Sequence, residues 1–331
     1  MSASVSLATS VSPRWRALLD ERAAEAVSLL CAIPGVRGVI VGGSLGRDEP
    51  WPLSDIDVLP VYERPSETAA AAVAECQSAL VDWWAASGRA QTLDLGWLAF
   101  TAEELRAALA GGPALVAERV AADTRWLHGL DKAYGGRSGL ADDGLIGEFT
   151  AFATAVRFDP VVVAARREHW RGEARRLAAE ARSAAEDPAG ATALLRETAR
   201  ALRLVRVESW GERLGSMGRE WTRFEAMAER HGQRQQAERL ARLAGADPAD
   251  AVRRGQLAPL WLRERIDLAL AARRAVGEPI DEARNARDQL AAFAVHVTRH
   301  RPDLHGAWTG SPDPALSEHL DEIEELVTEL A

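Results

Sequence analysis

Residues Val39 to Leu59 read VIVGGSLGRDEPWPLSDIDVL, and the fold turns on how this stretch is understood. A short apolar run, Val39-Ile40-Val41, stops at Gly42-Gly43-Ser44. A second apolar run, Ile56 to Val61, has Asp55 at its mouth and Asp57 inside it. Side chains alternate along a strand, so Asp55 and Asp57 share one face. Two carboxylates on one face, with a core-type Ile between them, repel each other and lose hydration unless a cation sits among them. Hard carboxylate oxygens suit Mg²⁺, and a pair of divalent ions is the expected partner. Taken singly, each feature has a plainer reading. Gly-Gly-Ser is a common tight turn, and Asp residues often end strands in solvent.

The combination is more specific. Gly43-Ser44, then about ten residues, then Asp55-Ile56-Asp57-Val58 resembles the signature of the DNA polymerase β-like nucleotidyltransferase superfamily. The resemblance covers about residues 30–130 and implies a third carboxylate on a neighbouring strand. The run Ala90 to Phe100 (AQTLDLGWLAF) carries a single charge, Asp94, between Leu93 and Leu95. A carboxylate in such a run is improbable as plain core, because buried carboxylates are rare unless paired or metal-bound. The resemblance implies that Asp55 and Asp57 bridge two Mg²⁺ ions. Asp94 would complete the ion near the acceptor and stand closest to a general base. Gly42, Gly43 and Ser44 would face the triphosphate, with Ser44 opening a short helix. For Ser44 an ordinary helix cap is the simpler role, and Arg47 has two open roles, phosphate ligand or solvated side chain. Some antibiotic-modifying relatives draw a glutamate base from a helical half. Glu148, Glu173 and Glu208 are the candidates here.

Composition bounds the class. The chain has 331 residues, 47% hydrophobic and 27% charged, with formal net charge −9. A grip on polyanionic backbone needs a basic surface, so this balance argues against a nucleic-acid substrate and sits well with a cationic acceptor such as an amino sugar. Lys132 is the single lysine, and arginine supplies the remaining basic charge. No apolar run approaches the roughly 20 residues of a membrane span, and the N-terminus lacks a signal-peptide pattern. Cys31 and Cys76 suggest neither a disulfide framework nor a zinc site, so a reducing cytoplasm is the expected compartment.

Along the chain, residues 12–33 read as a helix closed by Pro34-Gly35, and Val36–Val41 as a strand. Glu67 to Ser87 reads as a helix, and Thr101 with Glu104 as a capping box. Gly111-Gly112-Pro113 breaks the helix that follows, and a second one runs to about Ala122. Thr124 to His128 reads as a last short strand, with His128 structural or superficial rather than a ligand. Lys132 to Gly144, rich in Gly, Asp and Ser, reads as a boundary. The expected architecture is α+β. A small mixed sheet with flanking helices occupies residues 1–140, and an all-helical bundle occupies residues 141–331.

In the second half, helices are expected over 160–185, 188–214, 222–231, 233–244, 259–276, 279–300 and 314–330, with Thr222 and Glu225 as a second capping box. Arg200, Arg203, Arg206 and Arg213 recur at helical spacing and could hold a triphosphate, but interleaved Glu197, Glu208 and Glu212 favour a salt-bridged face. Trp210 and Trp221 could stack on a base or sugar, although bundle core is the commoner role.

The layout is similar to that of aminoglycoside and lincosamide nucleotidyltransferases. It implies transfer of a nucleoside monophosphate, AMP being the expected one, from ATP or another NTP to a hydroxyl of a small antibiotic-like molecule. Two other readings stay open: transfer to a tRNA end or a protein side chain, as in toxin–antitoxin nucleotidyltransferases, and a non-catalytic nucleotide- or partner-binding module. The sequence does not fix the oligomeric state.

Overall fold

The structure, a computed structural model, describes residues 11–88, 91–95, 98–140, 144–215, 218–300 and 312–330. It is α+β, with a small mixed sheet of five strands. Contacts divide the described chain into two compact units, Ser12–Arg166 and Arg167 onward.

The first unit opens with α1 (Trp15–Cys31), whose Leu19, Ala23, Ala26, Val27 and Leu30 face the core. β1 (Val36–Val41) leads through the one-turn helix α2 (Gly43–Gly46) to β2 (Ile56–Tyr62). The apolar runs that the sequence marks as strands are these two. They pair antiparallel, with Val41 opposite Val58 and Ile40 opposite Leu59. After α3 (Glu67–Ala86), capped by the Ser66 side chain accepting from the Ala69 amide, comes β3 (Leu93–Asp94), parallel to β2. β4 (Phe100–Thr101) pairs farther along the same side of β2, also parallel. The continuous strand expected over 90–100 is therefore two short pairings, with Ala90, Gly96 and Trp97 outside the described residues. β5 (Arg137–Ser138) closes the sheet against β1, giving the order β3-β2-β1-β5.

The capping box is present. Thr101 accepts from the Glu104 amide, and Glu104 accepts from the Thr101 amide at 2.8 Å. It starts α4 (Ala102–Ala122), which kinks at Gly112, where φ is 64° and ψ is −160° ahead of Pro113.

Residues 124–128, expected as a strand, are helical. Those residues begin helix α5 (Thr124–Ala133), because Asp123 caps it by accepting from the Arg125 amide at 2.7 Å. Trp126, Leu127, Leu130 and Ala133 then form one buried helical face. A five-residue apolar run is ambiguous by periodicity, and the acidic cap decides it. Helix α6 (Gly144–Val156) also packs in this unit. Its Phe149 ring lies 5.4 Å from Phe100 and 6.3 Å from Trp126.

The division between units falls within α7 (Pro160–Ser183). Beyond it every described element is a helix: α8 (Pro188–Ser209), α9 (Glu220–Arg230), α10 (Arg234–Leu243), α11 (Pro248–Leu257), α12 (Leu260–Ala275), α13 (Glu282–His300) and α14 (Leu316–Glu329). Helix α11, which starts on Asp247 and Pro248, is one that the sequence reading omits. The core joins Leu195, Leu202, Val205, Trp221, Phe224, Leu240, Ile323 and Leu326.

The second expected capping box, Thr222 with Glu225, does not form. Helix α9 begins at Glu220, and the Thr222 hydroxyl donates to Asp288 at 2.6 Å instead. Asp288 is buried between Arg273 and Arg287, so a local motif has been recruited into a long-range polar network. Among the described residues, no helix is long and apolar enough to cross a membrane.

Candidate functional site

Asp55, Asp57 and Asp94 converge. One oxygen from each lies within 4.8 Å of the others. The sheet register does this, because Ile56 pairs with Leu93 and Asp57 with Asp94 across the parallel β2–β3 pair. Adjacent parallel strands put paired side chains on the same face, so the third carboxylate arrives beside the second.

The glycine turn is pressed onto this cluster. The Gly42 amide donates to the Asp57 carbonyl at 3.0 Å, so Gly42 serves to dock the turn on the Asp strand. Gly43 has φ +58, and a Cβ there would stand 1.6 Å from Asp57 Oδ2. Only glycine allows this approach. Ser44 is buried, and its hydroxyl donates to Ser54 Oγ at 2.9 Å, while Ser54 Oγ accepts from the Trp51 amide at 3.0 Å. In this arrangement the Ser44 hydroxyl braces the loop that leads into Asp55. Arg47 folds its side chain against Gly135 and pairs with Glu49 at 3.5 Å.

Lys132, in the last turn of α5, completes the cluster, and the sequence reading did not assign it a role. Its Nζ donates to Asp57 Oδ1 and lies 3.4 Å from Asp94 Oδ2. The helix that carries it is fixed from below. Arg157 Nε donates to Asp131 at 2.9 Å, and Arg166 donates to the Leu127 carbonyl. A Cβ on Gly42 would meet the Lys132 carbonyl oxygen at 2.4 Å, so the turn and the end of α5 are in close backbone contact. The signal in the sequence was the residue type. In a chain whose other basic residues are all arginine, one lysine marks a place where a compact ammonium is needed.

The electrostatics follow from three carboxylates facing one ammonium. Asp57 is 3% exposed. Burial raises its carboxyl, the Asp55 charge adds to this, and Lys132 only partly offsets them, so it is pushed up from 3.8 to about 7. Burial works against the Lys132 charge, yet Asp57, Asp55 and Asp94 together hold the ammonium above its usual range. Negative charge is therefore in excess, and the donor set is oxygen-only. Both fit a hard divalent cation.

Of the other candidates, Glu148 and His128 belong to the sheet-bearing unit and the rest to the helical unit. Glu148 is exposed on α6. Glu173 pairs with Arg176 in the helical unit, and Glu208 is buried there. Arg203 is buried with its guanidinium 4.4 Å from the Trp221 ring centre and donates to Glu220 at 3.0 Å. Arg200 pairs with Glu197, so two of the four arginines in the row are held in ion pairs within the helical unit. Trp210 stacks on Phe224 and His231. His128 lies on α5, outside the carboxylate cluster.

No protein-family model, curated protein or solved structure matches the chain.

Proposed function

We propose that the chain is a nucleotidyltransferase that moves a nucleoside monophosphate, AMP in the first instance, from a nucleoside triphosphate to a hydroxyl of a small cationic acceptor of the aminoglycoside type. In this reading the sheet-bearing unit is a polymerase β-like domain and the helical unit selects the acceptor. The observation that carries it is the convergence of Asp55, Asp57 and Asp94 within 4.8 Å beside a glycine turn that abuts Asp57.

Asp55, Asp57 and Asp94 would hold the Mg²⁺, which when bound neutralises the triphosphate and the charge that develops on it. The acceptor oxygen bonds to the α-phosphorus as the bond from that phosphorus to the pyrophosphate oxygen breaks, and pyrophosphate leaves. Asp94 takes the hydroxyl proton. Its side chain is 42% exposed against 4% for Asp57, so it is the carboxylate of the pair that an incoming hydroxyl can reach. The Gly43–Ser44 turn, rigid because Gly42 and Ser44 are both bonded to the Asp strand and its loop, orients the triphosphate. The net charge of −9 favours a cationic acceptor over a polyanionic one.

The test is thermal stability of wild type and Asp57→Asn with each of the four NTPs, with and without Mg²⁺. A ligand at a hundredfold excess over its Kd adds about 2.7 kcal/mol. The reading expects a Mg²⁺-dependent shift with one NTP, lost in Asp57→Asn. Absence of a shift with every NTP overturns it. Product analysis with aminoglycosides then identifies the acceptor.

A further inference from the structure

The single lysine of the chain points into the carboxylate cluster, and the metal reading alone does not explain why. We infer that Lys132 is a displaceable internal counter-cation: its ammonium holds Asp57 and Asp94 together in the metal-free protein, competes with the divalent cation for Asp57, and is released when that cation binds. The inference rests on the carboxylate cluster being a divalent-cation site, as proposed above.

Three observations carry it. First, the ammonium is bonded to Asp57 and lies 3.4 Å from Asp94, so it already engages two of the three carboxylates that would hold the ion. A point charge there and a divalent ion on the same oxygens exclude each other by repulsion. Second, the Lys132 side chain is 32% exposed while Asp57 is 4% exposed at its side chain. The stem reaches in from the surface, so the ammonium has a route outward that the buried Asp57 side chain lacks. Third, the backbone at Lys132 is locked by the Gly42 approach and by the Arg157–Asp131 pair at its neighbour. Motion is therefore confined to the side chain. Arginine would serve poorly as a displaceable cation, since its planar fork holds carboxylates bidentately.

The consequence is a site that stays folded without metal, at the cost of weaker metal binding. It also has a sign that separates it from the obvious alternative. A lysine that merely positions the carboxylates would help the metal bind, so its loss would weaken binding. A competing counter-cation would hinder the metal, so its loss tightens binding.

Because there is one lysine, protein grown with lysine ¹³C-labelled at Cε gives a single lysine resonance, and this reports on Lys132 in the intact wild-type chain. We expect Mg²⁺ to move that resonance along a saturable curve, and Asp57→Asn to abolish the movement. In parallel, calorimetry with Mn²⁺ at about pH 8 should show Lys132→Met binding at least tenfold more tightly than wild type, with Lys132→Gln as the second variant should the first not fold. Mn²⁺ binding to wild type with an immobile lysine resonance, or equal or weaker Mn²⁺ binding by the uncharged variants, overturns the counter-cation while leaving the metal site standing. Absence of Mn²⁺ binding in wild type and variants alike removes both.

Discussion

At Gly43 and Asp57 the geometry makes sharp demands. Gly43 has a positive φ and touches the Asp57 carboxylate, so Gly43→Ala adds backbone strain and displaces an oxygen of the cluster. We expect a loss of roughly 1–3 kcal/mol of stability, read by urea unfolding, together with loss of Mg²⁺-dependent nucleotide binding. Asp57 allows a prediction about pH. The unfolded chain releases this proton near pH 3.8, whereas the folded protein keeps it to about pH 7. Between those values the native state binds more protons, so the metal-free protein loses stability as pH rises. Asp57→Asn carries no such penalty. Without metal it should exceed wild type by on the order of 2 kcal/mol above pH 7, with the difference vanishing below about pH 4. Thermal denaturation across that range in chelator checks it, and a constant difference at all pH values would sink it. Asp55 and Asp57 were legible in the sequence because period-2 alternation is local. Lys132 was not, because nothing near it in sequence reveals that α5 ends against β2.

At the scale of elements, caps set boundaries that apolar patterning leaves open. The Thr101–Glu104 box is self-contained within four residues, so sequence and structure agree on it. Thr222 and Glu225 match the same pattern, yet Thr222 bonds Asp288 and Glu225 pairs with Arg287. A buried network that needs its partners outcompetes a local cap. At α5 the local cap prevails, and Asp123 turns an apolar run into a helix. Thr101→Ala should cost about 1 kcal/mol and leave Mg²⁺ binding intact. Asp123→Ala should cost a similar amount but also disturb the metal response, since it frays the helix that carries Lys132. Denaturant melts paired with Mn²⁺ calorimetry separate the two.

Over the whole molecule, the excess of acid governs what can approach. With net charge −9, counterion release offers little affinity for a polyanion. At about 0.15 M salt we expect tRNA-sized RNA to bind no tighter than roughly 10 μM, the weaker range of non-specific association, in a filter or gel-shift assay. Tight, salt-sensitive binding would return a nucleic-acid acceptor to consideration. What the sequence determined by itself was whatever is encoded within a few residues: the two long strands, the glycine turn, the Asp55–Asp57 pair, the first capping box and most of the helices. Only the tertiary structure decided what depends on distant partners. The β2–β3 register sets Asp94 beside Asp57, the packing of α5 brings Lys132 among the carboxylates, and the Asp288 network takes Thr222 from its cap. The reason is physical. Alternation and capping are carried by neighbouring residues, whereas a register or a buried ion pair exists only once segments far apart in the chain have closed on each other.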